Sequence, residues 1–368
     1  MKIRTLAASV AATGLLAGMI SASHAAVLTP TSYVYNASGA TRYSPYTDSG
    51  LTVLTNGVIG GTSISSEYVV WFQNANPTGI VDFTFAAPVN PGVVVFDYLD
   101  QSSVGYDRPT SLTVKLYSDP GFTTLVSSYS HTNTLSSARY TPGQTMKGKV
   151  FVSGSAQYVR VEATHAVNRL TDLSEVTFLS DQPGTVHYYY DNSGSYTLPP
   201  SSGTIPGGYS DYFLTKLTDG VTSGTPRTDN YIYTNAGGLQ TRIYYDLGAA
   251  LDLESLGVYY YVDTGGIKCF APASLTIDLF SDPAFTTQVG TLTESSFPSV
   301  NLADNLKTID LTGYSAQYAR LTFTNHASGG MLLAETAFTG SAAVIPEPAS
   351  AMLLALGAGL LLKRRARG

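Results

Sequence analysis

The chain has 368 residues, of which 12% are charged, and it contains 26 tyrosines, 35 glycines and one cysteine. Its formal net charge of −6 argues against a nucleic-acid binder, which needs basic patches. The lone Cys269 excludes an internal disulfide, and its place before an apolar strand predicts a buried, inert thiol.

Lys2 and Arg4 open the chain, residues 6–20 form an apolar run, and Ser23 and Ala25 are small residues at the −3 and −1 positions. This pattern predicts a secretory signal peptide over 1–25, cut near Ala25 or Ala26. Beyond it, short runs of Val, Ile, Thr, Tyr and Phe lie between Gly, Pro, Asn and Asp, with almost no helical periodicity. The expected fold class is all-β.

Residues 109–126 return without a gap at 272–289, an offset of 163. Two copies of one module therefore span 27–180 and 186–341, each long enough for its own core. Copy one opens on Tyr33 and copy two on Tyr188. Leu54-Thr-Asn-Gly matches Leu217-Thr-Asp-Gly, and both are turn formers. Residues 80–85 align with 243–248 and 93–98 with 256–261, again at offset 163. In the repeated stretch Leu112, Val114 and Leu116 alternate with polar neighbours, as do Leu275, Ile277 and Leu279, which predicts a strand with one face on a core. Ser118-Asp119-Pro120 and Ser281-Asp282-Pro283 end it in a turn, and Phe122 and Phe285 are expected to plug the sandwich end. Residues 155–161 then match 315–321, and 173–178 match 333–338. The short linker 181–184 places the modules close together.

At the other end, Pro346-Glu347-Pro348 precedes an apolar run over 349–362 and the basic cluster Lys363, Arg364, Arg365 and Arg367. The run is shorter than the ~20 residues a spanning helix needs. A proline brake, a short apolar helix and a basic stop have the logic of a removable sorting signal. This segment, 344–368, resembles the PEP-CTERM sorting signal of Gram-negative bacteria. The resemblance implies an exosortase-type processing partner, transient membrane anchoring through the C-terminal helix, and delivery to the cell surface or extracellular matrix. A plain single-pass tail anchor is the other reading. Without both ends, 14 of 20 basic and 25 of 26 acidic residues remain, a net charge of −11.

The module order is an Asx-Gly turn, an Asp-Leu-Gly strand, the Ser-Asp-Pro hairpin, a Tyr-x-Arg strand and a late Glu strand. This order resembles the galactose-binding-like jelly-roll sandwich of discoidin (F5/8 type C) domains and many carbohydrate-binding modules. The resemblance implies two tandem jelly-roll β-sandwich domains with a structural Ca²⁺ between the Asx-Gly loop and the late Glu. The implied ligands are Asp219 and Glu335 in copy two, with a hydroxyl near Thr225 or Thr228, and Asn56 and Glu175 in copy one, where a neutral Asn weakens the site. Calcium suits such a set because it takes 6–8 oxygens. The alternative is that Asp219 only shapes a turn and Glu335 pairs with Arg320. By the same resemblance, sugar would be met by loop aromatics with polar groups beside them: Trp71, Tyr106, Tyr231 and Tyr233, with Asp107, Arg108 and Asn230.

No Gly-x-Ser-x-Gly, His-Glu-x-x-His or phosphate-cradling loop occurs, and the histidines are scattered singly. The expectation is a non-catalytic, exported protein whose two modules bind extracellular polysaccharide weakly and gain avidity by duplication. The alternative is a structural or adhesion protein without a sugar ligand.

Overall fold

A computed structural model describes residues 25–343 apart from 37, 45, 62, 73–76, 101–104, 107, 133–143, 166–169, 182–184, 191–213, 221, 223–231, 235–239 and 267. The stretch up to residue 24, expected to be a signal peptide, and the terminal segment with Pro346, Glu347, Pro348, Lys363, Arg364 and Arg365 lie outside the described residues.

The fold is all-β, as expected. Copy one carries β1 (Val27–Leu28), β2 (Ser32–Tyr35), β3 (Thr41–Arg42), β4 (Val69–Phe72), β5 (Thr78–Val89) and β6 (Pro91–Asp100). It continues with β7 (Ser111–Tyr117), β8 (Leu125–Thr132), β9 (Gln144–Phe151), β10 (Ala156–Thr164), β11 (Leu170–Leu173) and β12 (Glu175–Ser180). A five-stranded sheet, β2-β5-β10-β7-β8, faces a four-stranded one, β1-β12-β6-β9, and β11-β4-β3 form a small third sheet. Between the two large sheets lies a core of Phe83, Phe85, Phe96, Val114, Val159 and Phe178.

Copy two has β13 (His187–Tyr190), β14 (Ile232–Thr234), β15 (Gln240–Val262), β16 (Ser274–Phe280), β17 (Gln288–Glu294), β18 (Ala303–Asp310), β19 (Ser315–Thr324) and β20 (Met331–Ala342). One long strand, β15, does the work of β5 and β6 together. Its first part pairs β13 and β19, and its second part pairs β18 and β20. The register breaks between Asp246 and Leu251, where the strand turns the corner from one sheet to the other. With that corner, β13, the first part of β15, β19, β16 and β17 repeat the five-stranded order of copy one, and β20, the second part of β15 and β18 repeat β12-β6-β9.

The paired residues correct the alignment of the first two strands. Val159 lies opposite Phe83 and Leu116, and Ala319 lies opposite Tyr245 and Leu279. Phe83 therefore corresponds to Tyr245 and, by the same ladder logic, Tyr98 to Tyr260, an offset of 162 rather than 163. A slip of one residue exchanges the two faces of a strand. Only the corrected register puts Val81, Phe83 and Phe85 in line with Ile243, Tyr245 and Leu247, all six buried.

The repeated hairpin owes its tip to aspartate. Asp119 accepts hydrogen bonds from the amides of Thr123 and Thr124, at 3.2 and 2.5 Å. Asp282 does the same for Thr286 and Thr287, at 3.2 and 2.5 Å. These amides hold both carboxyls below the usual carboxylate range. The capping lets Phe122 and Phe285 sit at φ of +52° and +55°, a strained region for a bulky residue. In copy one Phe122 packs on Tyr117 and Tyr158, which face opposite to the core residues Leu116 and Val159, so it covers the outer face of the sheet and does not plug the sandwich end. Asp282→Ala is expected to lower the melting temperature by a few degrees and to open the tip to limited proteolysis. Unchanged cleavage at 281–287 would show that the cap contributes nothing.

The modules share a joint. Phe151, Val93 and Val95 belong to copy one but pack into the core cluster of copy two, beside Tyr189 and Tyr318. β6 therefore buries both faces, Val94 and Phe96 inward and Val93 and Val95 toward the second module. This explains the unbroken apolar run at 93–96. The corresponding part of β15 alternates, with Leu256 and Val258 buried and Ser255 and Gly257 less so.

Candidate functional site

Two arrangements carry chemistry. The first is a clamp on the Asx-Gly loop, built alike in both copies. The hydroxyl oxygen of Tyr33 accepts the Leu54 amide at 3.1 Å, and that of Tyr188 accepts the Leu217 amide at 3.0 Å. From the late strand, Glu175 Oε2 accepts the Gly57 amide and Glu335 Oε2 the Gly220 amide, each at 3.1 Å. The glycines sit at φ of +75° and +78°, which requires glycine.

The charge around the clamp differs between the copies. In copy one Glu175 is 6% exposed, and burial pushes its carboxyl up to about 7, with Asp97 adding to the shift. Lys147 opposes it, its Nζ 2.6 Å from Asp97 Oδ1. Asn56 turns its own Oδ1 to the Val58 amide at 2.8 Å, away from the role of an oxygen shared with Glu175. In copy two Glu335 is 5% exposed, and burial with the adjacent Asp219 pushes it up to about 7. The ladder puts Tyr259 where copy one has Asp97, and Leu306 where it has Lys147. Copy one thus carries the Lys147 ammonium beside its two acids, and at the corresponding ladder position copy two has an apolar side chain. The alternative pairing of Glu335 with Arg320 is not formed, because Arg320 binds Asp278 Oδ2 through Nε and Nη2 at 3.1 and 2.8 Å.

A loop carboxylate close enough to raise the proton affinity of Glu335 on the opposite strand suits a hard divalent cation, which takes oxygen ligands. Asp219 and Glu335 would hold it, with loop oxygens completing the shell. Thr225 and Thr228 lie outside the described residues. Among the described residues no three His, Cys, Asp or Glu side chains cluster in metal-binding fashion.

The second arrangement is a cleft of about 340 Å³ at the joint, lined by Tyr129, His131, Phe151, Tyr189, Tyr244 and Phe285 among others. Tyr189 and Tyr244 stack at 5.0 Å, His131 lies 4.1 Å from Tyr189, and Phe285 meets Tyr244 edge-on at 4.6 Å. Copy two makes room by moving a salt bridge. In copy one Arg160 reaches across to Asp82 on β5, at 2.6 Å. In copy two the position facing Arg320 on that side is Tyr244, and the aspartate, Asp278, stands on the other neighbouring strand. Gln317 bonds to both Asp181 and Asp246, and burial raises both carboxyls, Asp181 to about 6.

The residues expected to meet sugar do not gather. Trp71 is 1% exposed and Arg108 is 4% exposed, so neither offers a face to a ligand, which corrects that expectation. Trp71 is instead a core residue of copy one, packed on Gly79 and the Tyr35 ring. The unbroken apolar run 69–72 was the signal that could have shown it. Tyr106 is half-buried against Val70 and Leu99. Tyr233 lies on β14 opposite Leu332, and its side chain, like Asp107, Asn230 and Tyr231, lies outside the described residues. The cleft residues were missed because they come from β8, β9, β13, β15 and the second hairpin, and no short motif joins them. The triple tyrosine 188–190 was the visible trace, with Tyr188 and Tyr190 facing inward and Tyr189 facing the joint.

No family model matches the chain, and no curated protein does. Among solved structures, the chain is similar to a fucolectin from striped bass (Morone saxatilis) serum at 12% identity, covering 84% of this chain and 95% of that one, with a TM-score of 0.28. It is likewise similar to the paired CBM32-1 and CBM32-2 domains of Clostridium perfringens ZmpB at 13% identity, covering 84% and 92%, with a TM-score of 0.31. A third is the CBM32 of AlyQ in complex with 4,5-unsaturated mannuronic acid, at 15% identity over 42% of this chain and 98% of that one, with a TM-score of 0.28. Similarity at this level sets no residue correspondence.

Proposed function

We propose that this is an exported, non-catalytic surface or matrix protein whose two sandwiches act as one polysaccharide-binding unit. The observation that carries the reading is what lines the cleft at the joint. Rings and hydroxyls line it, a surface suited to the apolar faces and hydroxyls of sugars. Glu175 and Glu335 are engaged in the loop clamps, Asp82 and Asp97 in pairs with Arg160 and Lys147, and Asp278 neutralises the Arg320 of the cleft wall. Export rests on the terminal segments, whose sequence resembles a signal peptide and an exosortase-processed sorting tail. In this reading Asp219 and Glu335 hold a structural calcium ion, and Lys147 stands in for it in copy one. Bound there, the ion would neutralise the paired carboxylates and tie the loop to β20.

The test is calorimetric unfolding of the full chain in mild detergent, with calcium and with EDTA, beside electrophoresis through gels holding soluble polysaccharide. A ligand that binds only the native state raises the midpoint with its concentration. Calcium is expected to raise the midpoint, an effect lost in Glu335→Ala. No midpoint shift would remove the ion. Unchanged mobility in every polysaccharide gel would overturn sugar binding. The structural or adhesion reading would then stand, favoured by the exposed apolar side chains Val300, Leu302 and Leu306 near β18.

A further inference from the structure

We infer that the ligand site is the joint itself: the cleft between the two sandwiches takes a neutral pyranose unit of a polysaccharide chain. The inference rests on the binding reading above and names its site and ligand class.

The cleft needs both modules. One wall is β8 and β9, which supply Tyr129, His131 and Phe151, and the other is β13, β15 and the second hairpin, which supply Tyr189, Tyr244 and Phe285. Its volume of about 340 Å³ is at the low end of the range of about 300–1,000 Å³ usual for small-ligand sites. Tyr244, Phe285 and His131 are each partly open to solvent, whereas Phe151 is buried behind them.

The walls are held rigid. Tyr129 donates its hydroxyl to the Ser153 carbonyl at 2.8 Å, and His131 Nδ1 lies 3.2 Å from the Lys149 carbonyl. Arg320 is fixed on Asp278, and Phe285 is fixed by the aspartate-capped tip of its hairpin. Fixed rings lose little freedom when a sugar stacks on them.

Charge selects the ligand class. The cation in the wall, Arg320, is already neutralised by Asp278. The chain without its two ends is strongly acidic, at 14 basic against 25 acidic residues. An acidic glycan would be repelled, whereas a neutral pyranose needs only an apolar face on the rings and hydroxyl partners at the edge. An apolar ligand is disfavoured by Ser128, Ser130 and Arg320 in the same wall.

Divergence between the copies points the same way. Where copy two has Tyr189 and Tyr244, the ladders of copy one put Val34 and Asp82. Val34 is exposed. The rings are therefore absent where no joint exists.

The experiment is affinity electrophoresis of the full chain through galactomannan, a neutral polysaccharide, and through alginate, an acidic one. Two variants are compared. Tyr244→Ala removes a stacking ring at a position where copy one has no ring. Ala284→Trp fills the mouth of the cleft from an exposed hairpin position. The expected result is retardation by galactomannan only, with the apparent Kd raised about tenfold or more by each variant, the loss of a ring face being worth about 1–3 kcal/mol by analogy with base stacking. The melting temperature of Ala284→Trp should stay within a few degrees of the parent. Retardation unchanged by both variants would overturn the cleft while leaving sugar binding intact. Retardation by alginate alone would overturn the ligand class. No retardation in either gel would overturn both this inference and the binding reading.

Discussion

Trp71→Ala should lower the stability of copy one by about 3–5 kcal/mol, the cost of a large cavity where an aromatic side chain is removed from a core. For a domain of this size that corresponds to a fall in Tm on the order of 10 °C. The ring is 1% exposed, and a Cβ at Gly79 would lie only 2.6 Å from it, so its environment is tightly closed. It is also the only tryptophan of the chain, which makes its fluorescence a reporter of copy one alone. The native emission should be blue-shifted and resist acrylamide. Adding polysaccharide should leave it unchanged, because Trp71 sits in the core of copy one and does not line the cleft. Red-shifted emission, readily quenched, would mean the ring faces solvent and would return it to the set of ligand contacts.

Raising pH from 5 to 8 should destabilise the protein through its two clamp glutamates. Glu175 and Glu335 ordinarily titrate near 4.5 and are pushed to about 7 in the fold. Between those values the folded state binds more protons than the unfolded one, so stability falls as pH rises through that window. The loss is about 2 kcal/mol for each group. Asp181, raised to about 6, adds a loss of the same sign. His187 works in the opposite direction, since burial lowers it from 6.5 to about 3 and its share of stability is gained as pH rises through that range. A variant separates the contributions. Glu335→Gln keeps an acceptor for the Gly220 amide and should be more stable than the parent at pH 8, with the advantage gone at pH 5. Calcium at pH 8 should reverse the order, because only the charged pair holds the ion. Equal pH profiles for the parent and Glu335→Gln would show that the carboxyl is not perturbed.

Much of this was readable in the sequence because local chemistry decided it. The aspartate-capped hairpin, the Asx-Gly loops and the late glutamates are short patterns whose residues act on close neighbours or on one partner strand. The phase of β5 and of the first part of β15 was not readable. Ile80 and Val81, like Tyr244 and Tyr245, put apolar side chains on both faces, so alternation cannot choose between offsets 162 and 163. Trp71 misled for a related reason. Tryptophan suits a binding surface and a core equally well, and only the apolar neighbours Val69 and Val70 argued for the core. The joint was hidden because it depends on how two copies of one fold meet, and the duplication alone does not specify which faces touch. The Val93-Val94-Val95 run recorded it, although such a run reads equally well as any strand buried on both sides.

The buried outer face of β6 also sets an order of events. Synthesis proceeds from the N-terminus, so copy one is complete while Tyr189, Tyr244 and Phe285 are still unmade. During that interval Val93, Val95 and Phe151 form a sticky sheet face whose lawful partner has not arrived. The equivalent face of a neighbouring chain can take its place, which makes the half-made protein the species most prone to mispairing. A helper that shields this face needs to act only until the second copy is complete.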